Sequence, residues 1–395
     1  YPNITVDLMH IPNEDFLTKL NAMIAAGEAP DVSYSASWKC QMGEDGLIYN
    51  FFDLLDDMGL EKDDYISTCW WNWSPDESAG PVQANLTTNL MYNLDGFADA
   101  ALALPPTKVE EAWSWEEFVD VAQQLTVDTK GRNAKDPEFD ANNIQQYGIM
   151  FGTDWNVYMP FVLSAGGGYL NEAMDGLGLN EARAAQAIQN FADLINVYHV
   201  SPTAVQKNAM PSAATALASK QTAMYIDGSW NHLDLMNSGC NWGVGVLPID
   251  ENYTTFFDGG SLIIFKSTQH LDAAEKLYLW LTNPESAERI TELYRTLWLP
   301  VQTEYYTDGE KVEFWASEEL PARPAGFQDA IVKATYENSV IATEIDVKNF
   351  NEINTLVQSA LEQVWSGKKT AEEAMTEVKA QTDSLVDGTY SGNRS

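Results

Sequence analysis

The sequence predicts an α/β protein divided into two lobes. At 395 residues the chain exceeds what one hydrophobic core comfortably serves. Apolar residues make up 45% and charged residues 20%, the balance of a water-soluble globular protein. Strand-like alternation and helix-like stripes follow one another along most of the chain, the order that builds sheets flanked by helices.

Ile4, Val6 and Leu8 alternate with Thr5 and Asp7, which predicts a half-buried strand. Asn13 is placed to cap a helix carrying Phe16, Leu17, Leu20 and Ile24 on one face and stopping at Gly27. Ala29-Pro30-Asp31 leads into a short strand over Val32 to Tyr34. Cys69-Trp70-Trp71-Asn72-Trp73, running into Ser74-Pro75-Asp76, reads as a loop. Ser114 and Glu117 form a capping box ahead of a stripe of Trp115, Phe118, Val119, Ala122 and Leu125. From Asn180, the residues Ala184, Ala187, Ile188, Phe191, Ile195 and Tyr198 mark a long amphipathic helix. Ala223 to Ile226, Val244 to Leu247 and Ser261 to Phe265 read as buried strands. Asn283-Pro284 supplies a cap and a first-turn proline for another helix, and Thr370 with Glu373 a second capping box. From Gly388 onward the composition is that of a disordered tail. With no repeat and no low-complexity linker, the chain must cross between lobes inside structured segments.

Lys plus Arg number 22 against 58 Asp plus Glu, a net charge of -36. Such a surface repels phosphate backbones and anionic lipid, which excludes nucleic acid as a partner. The three cysteines, Cys40, Cys69 and Cys240, fit either one bridge and a free thiol or three free thiols, and lack zinc-site spacing. Four scattered histidines form no metal motif, and Gly166-Gly167-Gly168 fits neither glycine-rich phosphate motif. The acidic loop Asp136 to Asn142 offers oxygen ligands but misses the EF-hand pattern. The expectation is therefore no metal, no cofactor and no catalytic residue. A glycan-degrading enzyme would need two facing carboxylates, and nothing in the sequence nominates a pair.

What remains is aromatic: 13 Trp and 17 Tyr. Indole faces stack on the C–H faces of sugar rings while amides and carboxylates bond hydroxyls. Trp71, in the tryptophan-rich run, is one candidate for such a pocket. Trp115, Trp280 and Trp365 are expected in the core.

Several motifs resemble, in order, the family 1 extracellular solute-binding proteins of bacterial ABC sugar importers, the maltose-binding-like group. They are Tyr1 to Val6; Ala29-Pro30-Asp31-Val32; Met91-Tyr92-Asn93 with Asp95 and Phe97; and Pro105-Pro106 with Trp113 to Phe118. Lys220 to Trp230 is close to the family's "GK-x-AM-x-x-x-G-x-W", with serine in place of its first glycine. Val246-Leu247-Pro248, Gly259-Gly260-Ser261, Leu299-Pro300-Val301 and Trp365-Ser366-Gly367 complete the series. Members carry a strand, a helix and often a lipid-anchoring cysteine ahead of the Tyr-Pro segment, and these lie outside this sequence.

The resemblance implies a class II periplasmic-binding-protein-like fold: two lobes, each a sheet flanked by helices, joined by three crossovers. Matching puts the lobes at 1–86 with 258–300 and at 87–257 with 301–387, followed by the tail 388–395. It implies ligand contact by Trp230 above all. Asn85 and Thr87 follow at the first crossover, and Ser35, Ser37 and Trp38 after the Pro-Asp strand. Trp155 and Asn156 precede the glycines, Gly259, Gly260 and Ser261 occupy the second crossover, and Trp298 the third. The implied protein is a monomer outside the cytoplasmic membrane that hands a mono- or oligosaccharide to permease subunits, with the lipid anchor that the resemblance implies. A surface carbohydrate adhesin is the other non-enzymatic reading.

Overall fold

The apolar runs Leu90 to Tyr92 and Ala223 to Ile226 leave no polar face for solvent, and in the computed structural model they lie in interior strands that are buried along nearly their whole length. The structure describes residues 1–35, 38–83 and 86–390. Its strands are β1 (Val32–Ser35), β2 (Trp70–Ser74), β3 (Glu77–Pro81), β4 (Thr88–Asn93), β5 (Val127–Asp128), β6 (Ile144–Phe151), β7 (Thr222–Gly228), β8 (Trp242–Gly245), β9 (Thr255–Phe257), β10 (Ser261–Ile264) and β11 (Ser339–Ile341). One lobe holds the antiparallel pair β1–β10 and the hairpin β2–β3. The other is built on a five-stranded sheet in the order β5-β6-β7-β4-β8. There β6 and β7 run parallel, and β4 runs antiparallel to both β7 and β8. Helices cover both. In the larger lobe the buried stripe of helix Ala182–Asn196 packs against helix Trp155–Ser164 and against helices Phe350–Trp365 and Ala371–Asp383. Trp115 locks this layer by packing on Phe118, Phe161 and Phe191.

Hydroxyl groups and short pairings tie the crossovers together. Leu86 bridges Asp258, β9 pairs in parallel with β11, and Tyr65 bridges Gln302. Thr87 Oγ1 lies 2.8 Å from Thr255 Oγ1 and accepts from Thr335 Oγ1 at 3.4 Å.

Both capping boxes form, at Ser114–Glu117 and Thr370–Glu373. The helix Asn13–Ala26 ends on Gly27 in the left-handed region, φ 73°. Five expectations are corrected. Residues 4–8 form no strand, because β1 pairs only with β10 and a lone strand leaves its backbone unpaired; Leu8 is 85% exposed. The tryptophan-rich run is a buried strand and not a loop: Ser74-Pro75-Asp76 is the hairpin turn that follows it. Asn283 heads no helix, since its Oδ1 accepts from Glu285 N at 2.8 Å in a turn and the helix starts at Glu288. The tail is ordered as far as Tyr390, whose N–H donates to Asp346 O at 2.9 Å while Thr389 bridges Val347; residues 391–395 lie outside the described residues. Trp280 is also not core, being 40% exposed on helix Leu271–Thr282. All three cysteines are free thiols.

Candidate functional site

Aromatic side chains from both lobes converge where the chain crosses. On the smaller lobe Trp38 sits just past β1 with φ 68°, at the start of helix Lys39–Glu44. Next to it Lys39 is fully buried, with Nζ 3.4 Å from the centre of the Trp71 ring. Burial lowers this ammonium to about 7, against the opposing pull of Glu344, Cys40 and Asp258. Trp38 and Trp71 line a recess of about 40 Å³ whose other walls are Glu344, Phe350, Asn351 and Tyr390. Trp71 Nε1 is buried without a hydrogen-bond partner among the described residues.

The second crossover passes this recess. Gly260 N donates to Tyr34 Oη at 3.0 Å, and Gly259 N to Asp258 Oδ1 at 2.7 Å. Asp258 and Glu344 are hydrogen bonded carboxyl to carboxyl. Burial, then the neighbouring Asp258 charge, pushes Glu344 well above the usual carboxylate range. Asp258 is raised by burial as well. Two carboxyls in direct contact hold one proton between them.

From Phe350 the aromatic line continues into the larger lobe. Trp155, the first residue of helix Trp155–Ser164, packs edge-on against Phe350 at 5.5 Å and tilted against Phe256 at 5.6 Å. Nearby are the carboxyl ends of the parallel strands β6 and β7, where open α/β sheets place ligands. Asp227 there accepts from Tyr225 Oη and from Gly228 N at 2.8 Å, and burial raises its carboxyl. Lys207 Nζ donates to Phe151 O at 2.6 Å at the end of β6. Two residues past Asp227 and Gly228, Trp230 stays 40% exposed. Its ring lies on Gly228 so closely that any Cβ there would overlap the indole, so the glycine is what lets the ring lie flat.

The remaining sequence candidates divide. Thr87 Oγ1 is occupied by Thr255 and Thr335. The Asn156 carbonyl accepts from Thr88 Oγ1 at 2.8 Å, while its Nδ2 is buried without a partner among the described residues, as is Ser261 Oγ. Trp298 packs edge-on against the buried Tyr294 at 5.8 Å, and its carbonyl accepts from the buried Arg323 at 3.4 Å. The Ser35 side chain, Ser37 and Asn85 lie outside the described residues. Sequence reasoning missed Lys39, Asp258, Glu344, Phe350, Tyr390 and Asp227. Only Asp227, inside the motif that ends at Trp230, carried a local signal. The others converge from distant parts of the chain.

The acidic loop has its own internal cation. Asp128 accepts from Lys130 N, Arg132 N, Arg132 Nε and Asp140 N at 2.8 to 3.1 Å. Burial alone would raise this carboxyl, but the Arg132 guanidinium and the three N–H groups hold it well below the usual range. Arg132 also reaches Glu138 at 3.5 Å, so the loop's order needs no bound ion.

Residues 1–322 match the family described as bacterial extracellular solute-binding protein. Among curated relatives, the sn-glycerol-3-phosphate-binding periplasmic protein of Agrobacterium fabrum is 22% identical, over 93% of this chain and 82% of its own. The galactooligosaccharide-binding protein of Bacillus subtilis is 24% identical over 79% of this chain and 67% of its own. Among solved structures, an ABC substrate-binding protein from Listeria monocytogenes in complex with cycloalternan superimposes with a TM-score of 0.80 at 21% identity. That match covers 97% of this chain and 92% of the other. Among the described residues no helix is long and apolar enough to cross a membrane.

Proposed function

Because the chain belongs to the bacterial extracellular solute-binding proteins, we propose that it captures an oligosaccharide between its lobes and delivers it, on closure, to the permease of an ABC importer. The observation that carries this reading is the recess walled by Trp38, Trp71 and Phe350, with Trp155 packed on Phe350 behind it; the partly exposed Trp230 past β7 adds a further indole. Flat apolar faces contributed by both lobes suit a chain of sugar rings. The buried, unpartnered Trp71 Nε1 and Asn156 Nδ2 are N–H donors suited to its hydroxyls. Ser35, Ser37, Trp38, Trp71, Asn85, Trp155, Asn156, Gly259, Gly260, Ser261 and Trp230 are retained as the contact set, with Lys39, Asp227, Glu344, Phe350 and Tyr390 added. Thr87 is assigned to the hinge. Trp298 is assigned to packing.

The lobes are taken as 1–86 with 258–300 and 87–257 with 301–387. Support comes from β1, β2, β3 and β10 falling on one side of that division and the five-stranded sheet on the other. The recess of about 40 Å³ has room for a few waters. A sugar ring therefore enters with the lobes apart and is enclosed as they close, and binding energy is differential affinity for the closed state. The protein acts as a monomer outside the cytoplasmic membrane, tethered by a lipid anchor, and does no chemistry on its cargo. The Asp258–Glu344 pair argues against hydrolysis, because carboxyls in direct contact leave no space for a glycosidic bond between them.

A thermal-shift screen with maltotriose, galactooligosaccharides and cyclic glucans tests the reading, since a ligand specific for the folded state raises Tm by mass action. At least one neutral oligosaccharide should raise it. A response to peptides or polyamines alone would sink the proposal.

A further inference from the structure

Side chains from both lobes line the recess, and beside it an ion pair joins one lobe to the other. Of the ion pairs between described residues, two link segments assigned to different lobes. Lys311 and Glu285 lie on either side of the third crossover, where the chain itself already ties the lobes. Lys348 and Glu44 have no such link. Lys348 Nζ donates to Glu44 Oε1 at 2.7 Å across 304 residues of sequence, and both side chains are half-buried.

Neither charge suits the helix it belongs to. Glu44 is the last residue of helix Lys39–Glu44, where a carboxylate meets the negative end of the helix dipole. Lys348 stands just ahead of Asn349, the cap of helix Phe350–Trp365, where an ammonium meets the positive end. Each is misplaced on its own helix and well placed only opposite the other.

The lysine is also held in position. Residues 388–390 run antiparallel to 346–348 as a strap: Lys348 N donates to Gly388 O at 3.1 Å, Tyr390 N donates to Asp346 O at 2.9 Å, and Thr389 bridges Val347. Lys348 Nζ therefore lies 5.0 Å from the centre of the Tyr390 ring. Tyr390, Val347 and Asn349 line the recess together with Trp38 and Gln41 of the smaller lobe. An exposed ion pair gains little because two long side chains must be immobilised. Here the strap and the ring have already restricted one of them.

We propose, resting on the two-lobed capture reading, that Lys348 and Glu44 are the clasp of this recess. They stabilise the closed arrangement of the lobes, and the strap ending at Tyr390 positions the lysine. The pair acts without touching the sugar. Its loss should shift the lobes toward the open arrangement and shorten the time a glycan stays enclosed.

Small-angle scattering tests this on the wild type, Glu44→Gln, Lys348→Gln and the exchanged pair Glu44→Lys with Lys348→Glu, each first checked for a cooperative melt. Each chain is measured without sugar and with maltotriose or a galactooligosaccharide, and release of the sugar is followed by stopped-flow Trp fluorescence. Each single variant should raise the open-to-closed ratio, and the release rate, by about threefold. The exchanged pair should restore both. It also moves each charge to the favourable end of its helix, so restoration cannot be confused with helix damage in the single variants. A ratio unchanged in the single variants, or one that the exchange fails to restore, overturns the clasp while leaving glycan capture standing. If the sugar-free ratios move as expected and neither sugar contracts any chain, the clasp stands and the capture reading loses its support.

Discussion

Trp71 and Trp230 belong to the same proposed contact set, and almost everything about them differs. Trp71 is 2% exposed, in a hairpin strand, with a buried ammonium on its face. Trp230 is 40% exposed, two residues past the end of β7, with a glycine beneath its ring. One indole is built into its lobe and walls a recess. The other is laid over a strand end and stays partly open to solvent. The proposed cleft would therefore have a structural end and a binding end, and truncating either should be felt in a different measurement.

The largest contrast is in stability. Trp71→Ala removes a fully packed indole and strips the ring from under Lys39, so unfolding should cost about 4 kcal/mol less. Trp230→Ala deletes an exposed ring and should stay within about 1 kcal/mol. Urea titrations of both variants measure this directly, and equal midpoints would abolish the distinction. In affinity the order reverses. Trp230→Ala should weaken oligosaccharide binding by about 2.5 kcal/mol, nearly a hundredfold, by calorimetry on the unchanged fold. Unchanged affinity would remove Trp230 from the site.

The same contrast shows what could be read from the sequence. Trp230 was legible because a strand, a glycine and the indole lie within one short motif, and local order fixes their geometry. The capping boxes at Ser114 and Thr370 and the stripe of helix Ala182–Asn196 were legible for the same reason. Trp71 was identified as a candidate but on a loop, because a hairpin turn of Ser-Pro-Asp and the end of a loop look alike until β3 is seen to pair with β2. Glu344 was not legible at all. Its role depends on Asp258 and Lys39, and only the folded crossovers bring those three together. Thr87 was placed near a crossover, yet its hydroxyl turned inward to Thr255, a choice set by a strand far along the chain.

Gly228 links the two properties at the binding end. A methyl group added there would overlap the Trp230 ring and push it off the strand end. Gly228→Ala should therefore lose about 2 kcal/mol of oligosaccharide affinity, close to the loss in Trp230→Ala. The double variant should be no weaker than the worse single one, since both act through the same ring. Additive losses would mean that Gly228 matters for some reason other than the platform.

The smallest effect separates the two ends by pH. Behind Trp230, on helix Asn231–Asn237, His232 is buried, its Nε2 is 3.2 Å from Asn89 Oδ1, and its Nδ1 has no partner among the described residues. Burial, then the Arg323 charge, holds it well below its ordinary 6.5. The unfolded chain takes up that proton below 6.5 and the folded chain refuses it, so the stability His232 contributes is present above 6.5 and lost as pH falls. The loss should reach about 1 kcal/mol one pH unit lower. At the other end the sign is opposite, since Glu344 and Asp258 are raised and hold a proton the unfolded chain has released. Their contribution is present at low pH and fades as pH rises through their folded values. Lys39, lowered to about 7, completes most of its titration above the window in question. Between pH 6.5 and 5.5 the stability of the wild type should therefore drop relative to that of His232→Gln by about 1 kcal/mol, read from urea midpoints. An identical pH dependence in both would place the acid-sensitive group elsewhere and leave the binding end without a pH signature of its own.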